Sequence, residues 1–192
     1  LPQVFVLPPM KLLLDTCVIY PTVMRQMLLG ASRVIGWTPL WSERILEEWA
    51  RAARKIGPTG EMQARAEIAL VRATWPKSEI SWEPSLETRL WLPDVNDRHI
   101  LAAAIAGSAD LLITSNARDF PRATLFEEGL DRLDPDALLL KAYNSYPDQV
   151  SSVGNDILFE ARRLSGKDWE IRDLFKKARL PRFAKVMATA PS

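Results

Sequence analysis

The sequence predicts an α/β protein with a central parallel sheet, followed by an all-helical C-terminal part. Three observations carry this. Two short, continuous apolar runs, Lys11-Leu-Leu-Leu14 and Leu111-Leu-Ile-Thr114, have the length and composition of strands buried on both faces. Longer segments with helical periodicity lie between them. Beyond about residue 134 the strand patterns cease and only helical ones remain.

Composition narrows the class further. A chain of 192 residues fits one domain, or one domain with a small appendage. A hydrophobic share of 47% and a charged share of 26% are ordinary for a soluble globular protein. No apolar run approaches the ~18 residues that span a bilayer, so no membrane association is expected. The single cysteine, Cys17, excludes an internal disulfide framework and suits a reducing cytoplasm. With one histidine and one cysteine, a zinc site of the Cys/His kind is not expected. A Ser-His-Asp hydrolase would have to use His99, which lies in a helical pattern in a chain without a serine elbow. His99 is expected on a helix surface. Net charge is +1, but residues 160–185 carry nine Lys/Arg against four acids. That asymmetry suggests a tail facing a polyanion, with a solvated helix surface as the plainer alternative.

Taken in order, residues 1–9 have the look of a leader or expression remnant, with Met10 as a natural start. Lys11–Leu14 is a strand ending in the carboxylate of Asp15, and a helix is expected from about Tyr20 to Leu29. Trp37–Trp41 is a short edge segment. Ser42 is a good N-cap for a helix reaching Gly57. Its apolar stripe runs through Ile45, Trp49, Ala52 and Ile56. At ~100° per residue, Glu48 flanks that stripe, while Glu43 and Glu47 fall on the opposite, solvated side. Gly57–Gly60 is a turn, residues 61–75 a helix, and Pro76-Lys77-Ser78 its end. Residues 81–93 form a connector in which Trp82 and Trp91 are expected to pack. The stretch Pro93–Pro121 then holds an acidic loop, a small-residue helix stopping at Gly107, the second strand and a polar loop. Leu130–Leu133 is a last strand. Pro135 opens a helix, and residues 149–164, 168–178 and a short piece around Phe183 are helical. The boundary falls near residues 134–146, giving an α/β domain over 10–140 and a helical extension over 141–192.

Four acids occupy similar addresses: Asp15 after the first strand, Glu48 beside a buried stripe, Asp97 at a helix start and Asp119 after the later strand. Ligands of open α/β sheets bind beyond the carboxyl ends of strands. Four carboxylates cannot share one pocket without neutralisation or a cation. All-oxygen ligation suits Mg²⁺ or Mn²⁺, and such a site supports phosphodiester hydrolysis. A haloacid-dehalogenase phosphatase would want a second Asp two residues after the first, where this chain has Cys17. Helix and turn capping is the plainer reading of Asp94, Asp97 and Asp119.

At this point a resemblance enters. LLLDTCVIY, the Ser42-to-Glu48 spacing, DRHILAAAIA and LLITSNARDF resemble the acidic motifs of PIN-domain nucleases, over about residues 10–140. PDVNDRHILAAAIAGSADLLITSNARDFP is similar to the VapC-type toxins of bacterial toxin–antitoxin pairs. The tail ending in KKARLPRFAKVM is similar to the C-terminal extension of one bacterial branch. The resemblance implies a three-layer α/β/α sandwich around a parallel sheet, Mg²⁺- or Mn²⁺-dependent cleavage of RNA, a cognate antitoxin protein, and a homodimer. Carried over by position, Asp15, Glu48, Asp97 and Asp119 match the family's catalytic and metal-holding acids. Asn116 matches the residue that orients the last acid, with Thr16 and Thr114 in support. Asp94 is an extra carboxylate that either joins the site or caps the helix. Arg44, Arg51, Lys176 and Lys177 are expected to guide the RNA backbone. Two other readings stay open: a binding or regulatory module with little catalysis, and a nuclease of RNA maturation or of DNA.

Overall fold

A computed structural model describes residues 7–189 of the chain. The chain divides into two compact units. One comprises Met10–Tyr20 and Thr38–Leu133 and holds the sheet; the other gathers residues 7–9, Pro21–Trp37 and residues 134–189. The sequence put 10–140 together; by packing, Pro21–Trp37 groups instead with the C-terminal helices. Of the stretch expected to be a leader, residues 1–6 lie outside the described residues. Leu7 accepts a hydrogen bond from the Tyr146 hydroxyl through its carbonyl, at 3.3 Å.

The first unit is built on four parallel strands, β1 (Lys11–Leu14), β2 (Thr38–Leu40), β3 (Leu111–Ile113) and β4 (Asp131–Leu133), in the order β2-β1-β3-β4. Leu12, Leu13 and Leu14 are 1%, 0% and 1% exposed, which is why the most continuous apolar run became a central strand. Burial of each such side chain stabilises by ~1.5–3 kcal/mol. Pro39, which has no N–H to donate, sits on the edge strand β2. Leu14 pairs with Ile113, so the carboxyl ends of β1 and β3 lie side by side. The chain leaves β1 for β2 on one side and later returns to place β3 on the other. Their shared end is therefore the switch point of the sheet, the usual ligand address in open parallel sheets.

Helices complete this unit: α1 (Thr16–Ile19), α3 (Glu43–Ala52), α4 (Gly60–Thr74), α5 (Pro84–Arg89), α6 (Arg98–Ala106) and α7 (Arg122–Glu127). Ser42 caps α3 as expected, accepting from the Ile45 N–H at 3.2 Å. The stripe of α3 differs from the expected one. Its buried residues are Ile45, Leu46, Trp49 and Ala50, continued by Ala53, whereas Ile56 is 72% exposed. The chain tightens into a 3₁₀ turn over Ala53–Ile56, which ends the helix. α6 does end at Gly107, but Gly107 is not left-handed; Ser108 takes that role with φ 52°. Gly107 is small because a Cβ would meet Leu40 at 2.8 Å and Ile80 at 3.1 Å. Trp91 was expected to pack and is 61% exposed; Leu90 and Leu92 are buried in its place.

The second unit is helical: α2 (Thr22–Ile35), α8 (Pro135–Ser145), α9 (Pro147–Ser165), α10 (Ile171–Lys177) and α11 (Pro181–Thr189). Asp134 caps α8, accepting from the Ala137 N–H at 2.9 Å, with Pro135 in the first turn. Asp136, 5% exposed, accepts from the backbone N–H of Arg182 (3.1 Å) and of Phe183 (2.8 Å), so a carboxylate of α8 satisfies the start of α11. Phe175 and Phe183 meet edge to face at 5.1 Å. Gly154 of the 19-residue helix α9 lets the Met187 methyl approach its backbone, where a Cβ would come within 2.4 Å of it. The molecule thus has the central parallel sheet with flanking helices that the sequence predicted, and additional helices at the C-terminus. No helix among the described residues is long and apolar enough to cross a membrane.

Candidate active site

Asp15 follows the last residue of β1, and its N–H donates to the Ile113 carbonyl at 3.1 Å, extending the β1–β3 ladder by one bond. That bond sets Asp15 beside Thr114. The Thr114 hydroxyl donates to Asp15 Oδ2 at 2.7 Å and accepts from the Asn116 N–H at 3.0 Å. The Cys17 thiol also donates to Oδ2, at 3.2 Å. Asp15 is 8% exposed. Burial pushes its carboxyl upward, aided by the charge of Glu48, against the hydrogen bonds from Thr114, Cys17 and the Thr16 backbone. Burial and the neighbouring Asp15 push the Cys17 thiol up to about 11, so Cys17 serves here as a hydrogen-bond donor rather than a nucleophile.

Asp97 ends a 3₁₀ turn over Val95–Asp97 and leads into α6. Its carboxyl is pushed up to about 6, first by burial and then by the charges of Asp15, Asp94 and Asp119. Asp94 caps that turn, accepting from the Asn96 N–H at 2.8 Å. Its charge nonetheless reaches Asp97. Asn116 Nδ2 donates to Asp119 Oδ2, so the polar loop after β3 fixes the last acid. No Lys or Arg forms an ion pair with Asp15, Asp97 or Asp119 among the described residues.

Glu48 joins the group from α3. Thr16 donates to Glu48 Oε2 at 2.6 Å and His99 Nε2 donates to Oε1 at 2.8 Å. Burial works against its ionisation, but the hydrogen bonds from His99 and Thr16 outweigh it and hold the carboxyl below the ordinary range. Glu48 was singled out as flanking the stripe of α3. Measured from the buried residues, it lies roughly 130° from the stripe centre, and Glu47 lies as far on the other side. What separates them is their surroundings. Glu48 meets Thr16 and His99, whereas Glu47 meets Arg65 (2.9 Å) and Arg51 (3.1 Å) on the solvent side.

His99 corrects the sequence reading. It was expected on a helix surface and is 1% exposed, because residues 99–104 of α6 are buried all round. The signal was present: HILAAA carries no other polar residue, and a helix apolar on every side is a core helix. Cys17 was also missed as a site residue; its short reach to Asp15 is not visible in periodicity. Arg44 and Arg51 are tied down, Arg44 to Glu87 at 3.1 Å and Arg51 to Glu47. Lys176 and Lys177 belong to the helical unit, where the Lys177 ammonium lies 5.1 Å from the Trp169 ring centre.

The donors at the switch point are almost all oxygens with surplus negative charge, a set that fits a hard divalent cation. Among the described residues, no three acidic, histidine or cysteine side chains converge closely enough to form a ready cage.

Residues 11–118 match the PIN domain, more than half of the chain, and the chain belongs to the PIN-domain family. Asp119 lies one residue past the matched segment, so its membership in the cluster rests on Asn116 and on its effect on Asp97. Over 57 residues the chain is 35% identical to a protein of Mycobacterium tuberculosis named "Putative ribonuclease VapC50". That alignment covers 30% of this chain and 34% of the relative, so the chain spans about a third of that relative's length. No solved structure matches the chain.

Proposed function

We propose that the protein is a Mg²⁺- or Mn²⁺-dependent endoribonuclease, the toxin of a type II toxin–antitoxin pair. One observation carries the reading: Asp97 lies at the switch point with Asp15, Asp94 and Asp119 close enough for their charges to act on it, and burial followed by those three charges pushes it up to about 6. A catalytic role explains that uncompensated charge better than a structural one does. The family and the name of the partial relative give the direction, RNA.

In this reading Asp15, Asp97 and Asp119 hold the ion, and Glu48 completes its surroundings directly or through water. When bound, the cation supplies acidified water and charge neutralisation at the phosphate. The chain's own groups do the rest. Thr114 holds Asp15 through Oδ2; Asn116 holds Asp119; Thr16 holds Glu48. Lys176, Lys177 and the other cations of residues 160–185 attract the RNA backbone in a salt-sensitive manner. A cognate antitoxin restrains the activity, the chain acts as a homodimer, and it works in a reducing cytoplasm, in keeping with its lone Cys17.

The test is cleavage of a labelled pool of cellular RNAs, beside single-stranded and duplex DNA, with Mg²⁺, with Mn²⁺ and with EDTA. The reading expects cuts at a few RNA sites, dependent on the cation and lost in Asp97→Asn. Cutting of DNA alone overturns the substrate class. No cutting under any metal condition overturns the enzyme and leaves a PIN-fold binding module.

A further inference from the structure

We propose that His99 is a positioning residue, which orients Glu48 for the cation site; this rests on the nuclease reading above. His99 is 1% exposed within a helix of Ile, Leu and Ala. An aliphatic residue would satisfy that packing without a buried polar ring. Among the described residues the ring is poorly served: Nδ1 is buried with no hydrogen-bond partner, and its one bond runs from Nε2 to Glu48 Oε1 at 2.8 Å. A buried histidine that leaves one nitrogen unpaired to reach one carboxylate is placed for that carboxylate.

The geometry at Glu48 says what the bond does. Glu48 is the longest and most freely rotating of the acids. Its two oxygens are each held by one donor from a different element, Oε1 by His99 of α6 and Oε2 by Thr16 of α1. Together these fix the rotation of the carboxylate about its last bond and leave each oxygen a further lone pair. Arg44, 3.9 Å from Oε1, is too distant to direct it. Thr16 follows Asp15 in sequence, and His99 lies two residues after Asp97. The two bonds thus tie the one acid that comes from α3 to the backbone segments that carry two of the others. Outer partners that orient metal-holding groups behave in this way.

The experiment uses the full chain and two readouts, Mn²⁺ affinity from the paramagnetic resonance of free Mn²⁺ and the kcat of RNA cleavage. His99→Leu keeps the packing and removes the donor; His99→Gln keeps a donor near the Nε2 position. We expect His99→Leu to weaken Mn²⁺ binding and lower kcat by about tenfold or more. We expect His99→Gln to recover both to within about threefold, and His99→Leu to add little in a Glu48→Gln background. Because the chain has one histidine, its imidazole proton signals are unambiguous, and Mn²⁺ should broaden them in the wild type. His99→Leu indistinguishable from wild type in affinity and kcat overturns the proposal. So does an equal loss in the Leu and Gln variants, which marks packing alone. If His99→Leu fails to fold, Thr16→Val carries the test, with the same loss expected and wild-type behaviour overturning it. A wild type that neither binds Mn²⁺ nor cuts RNA is a different failure: it removes the nuclease reading, and the proposal with it.

Discussion

Two groups of carboxylates in the sheet-bearing unit face opposite fates. On the outer side of α3 and α4, Glu47 and Glu61 are matched by Arg51, Arg54 and Arg65, and both carboxyls are held down at about 2, chiefly by hydrogen bonds from these arginines. At the strand ends, buried Asp15 and half-buried Asp97 lie among other acids, and both are pushed upward. All four are carboxylates, and the directions of shift are opposite. Where a carboxylate serves only solubility and local pairing, the chain supplies its counter-charge. Where it withholds the counter-charge, something from outside is expected to bring it. Glu48, next to Glu47 on the same helix, belongs to the strand-end group by position yet is also held down, by His99 and Thr16 rather than by paired arginines.

The largest test of the contrast is substitution on each side. Asp97→Asn or Asp15→Asn should lower RNA cleavage by at least about 10²-fold, as loss of a charge at a metal-dependent site does. Glu47→Ala should leave cleavage unchanged, because an exposed pair contributes little. Single-turnover rates check both. Equal losses would erase the distinction between the two groups.

A smaller effect is expected from Thr114→Val, which removes the hydroxyl that holds Asp15 Oδ2. Cleavage should fall by about tenfold, and the pH at which activity rises should move upward, since the hydrogen bond favours the ionised carboxyl. An unchanged pH profile would show that Asp15 needs no such support.

The pH dependence of stability sharpens the comparison further. Asp97 has a folded value near 6 against an ordinary 3.8, so the folded chain binds that proton more tightly than the unfolded one. Its contribution is fully present at low pH and is lost as pH rises from about 4 through about 6. Asp15, also raised, acts in the same direction. Glu47 and Glu61, near 2 against 4.5, act oppositely: their contribution is present above about 4.5 and is lost as pH falls through about 2. In EDTA the unfolding midpoint should therefore peak at mildly acidic pH. Mg²⁺ should raise it selectively above pH 6, and Asp97→Asn should raise the metal-free midpoint there. A midpoint in EDTA that climbs steadily to neutrality would contradict the strand-end half of the comparison.

The smallest expected effect is Arg65→Ala, which removes the shared partner of Glu47 and Glu61. It should move the midpoint by no more than ~2 °C and leave Mg²⁺ dependence intact.

Much of this contrast was legible in the chain itself. Lys11–Leu14 and Leu111–Ile113 were recognisable because continuous apolar runs are how parallel strands are written, and a carboxylate directly after a strand has little choice of address. Asp15 was placed by that reasoning, while the roles of Thr114 and Asn116 came only with the resemblance to PIN-domain nucleases. What escaped depended on three dimensions. His99 was placed outside because a lone polar residue was weighed against a helix pattern rather than against an apolar neighbourhood. The stripe of α3 was drawn through Ile45, Trp49, Ala52 and Ile56, whereas the buried face also takes in Leu46 and Ala50 on one side of that line. The short helices α5 and α7 were not foreseen, being too brief for periodicity to register. The grouping of Pro21–Trp37 with the C-terminal helices rests on contacts such as Gly30 against Val153, which no local pattern announces.

The most direct test of the central claim is an anomalous diffraction map from crystals of the chain grown with Mn²⁺ near neutral pH. A peak with oxygens of Asp15, Asp97 and Asp119 at about 2.0–2.2 Å, or one water removed from them, is the predicted result. A map with Mn²⁺ bound elsewhere and nothing among these acids, at a Mn²⁺ concentration that supports cleavage, would contradict it.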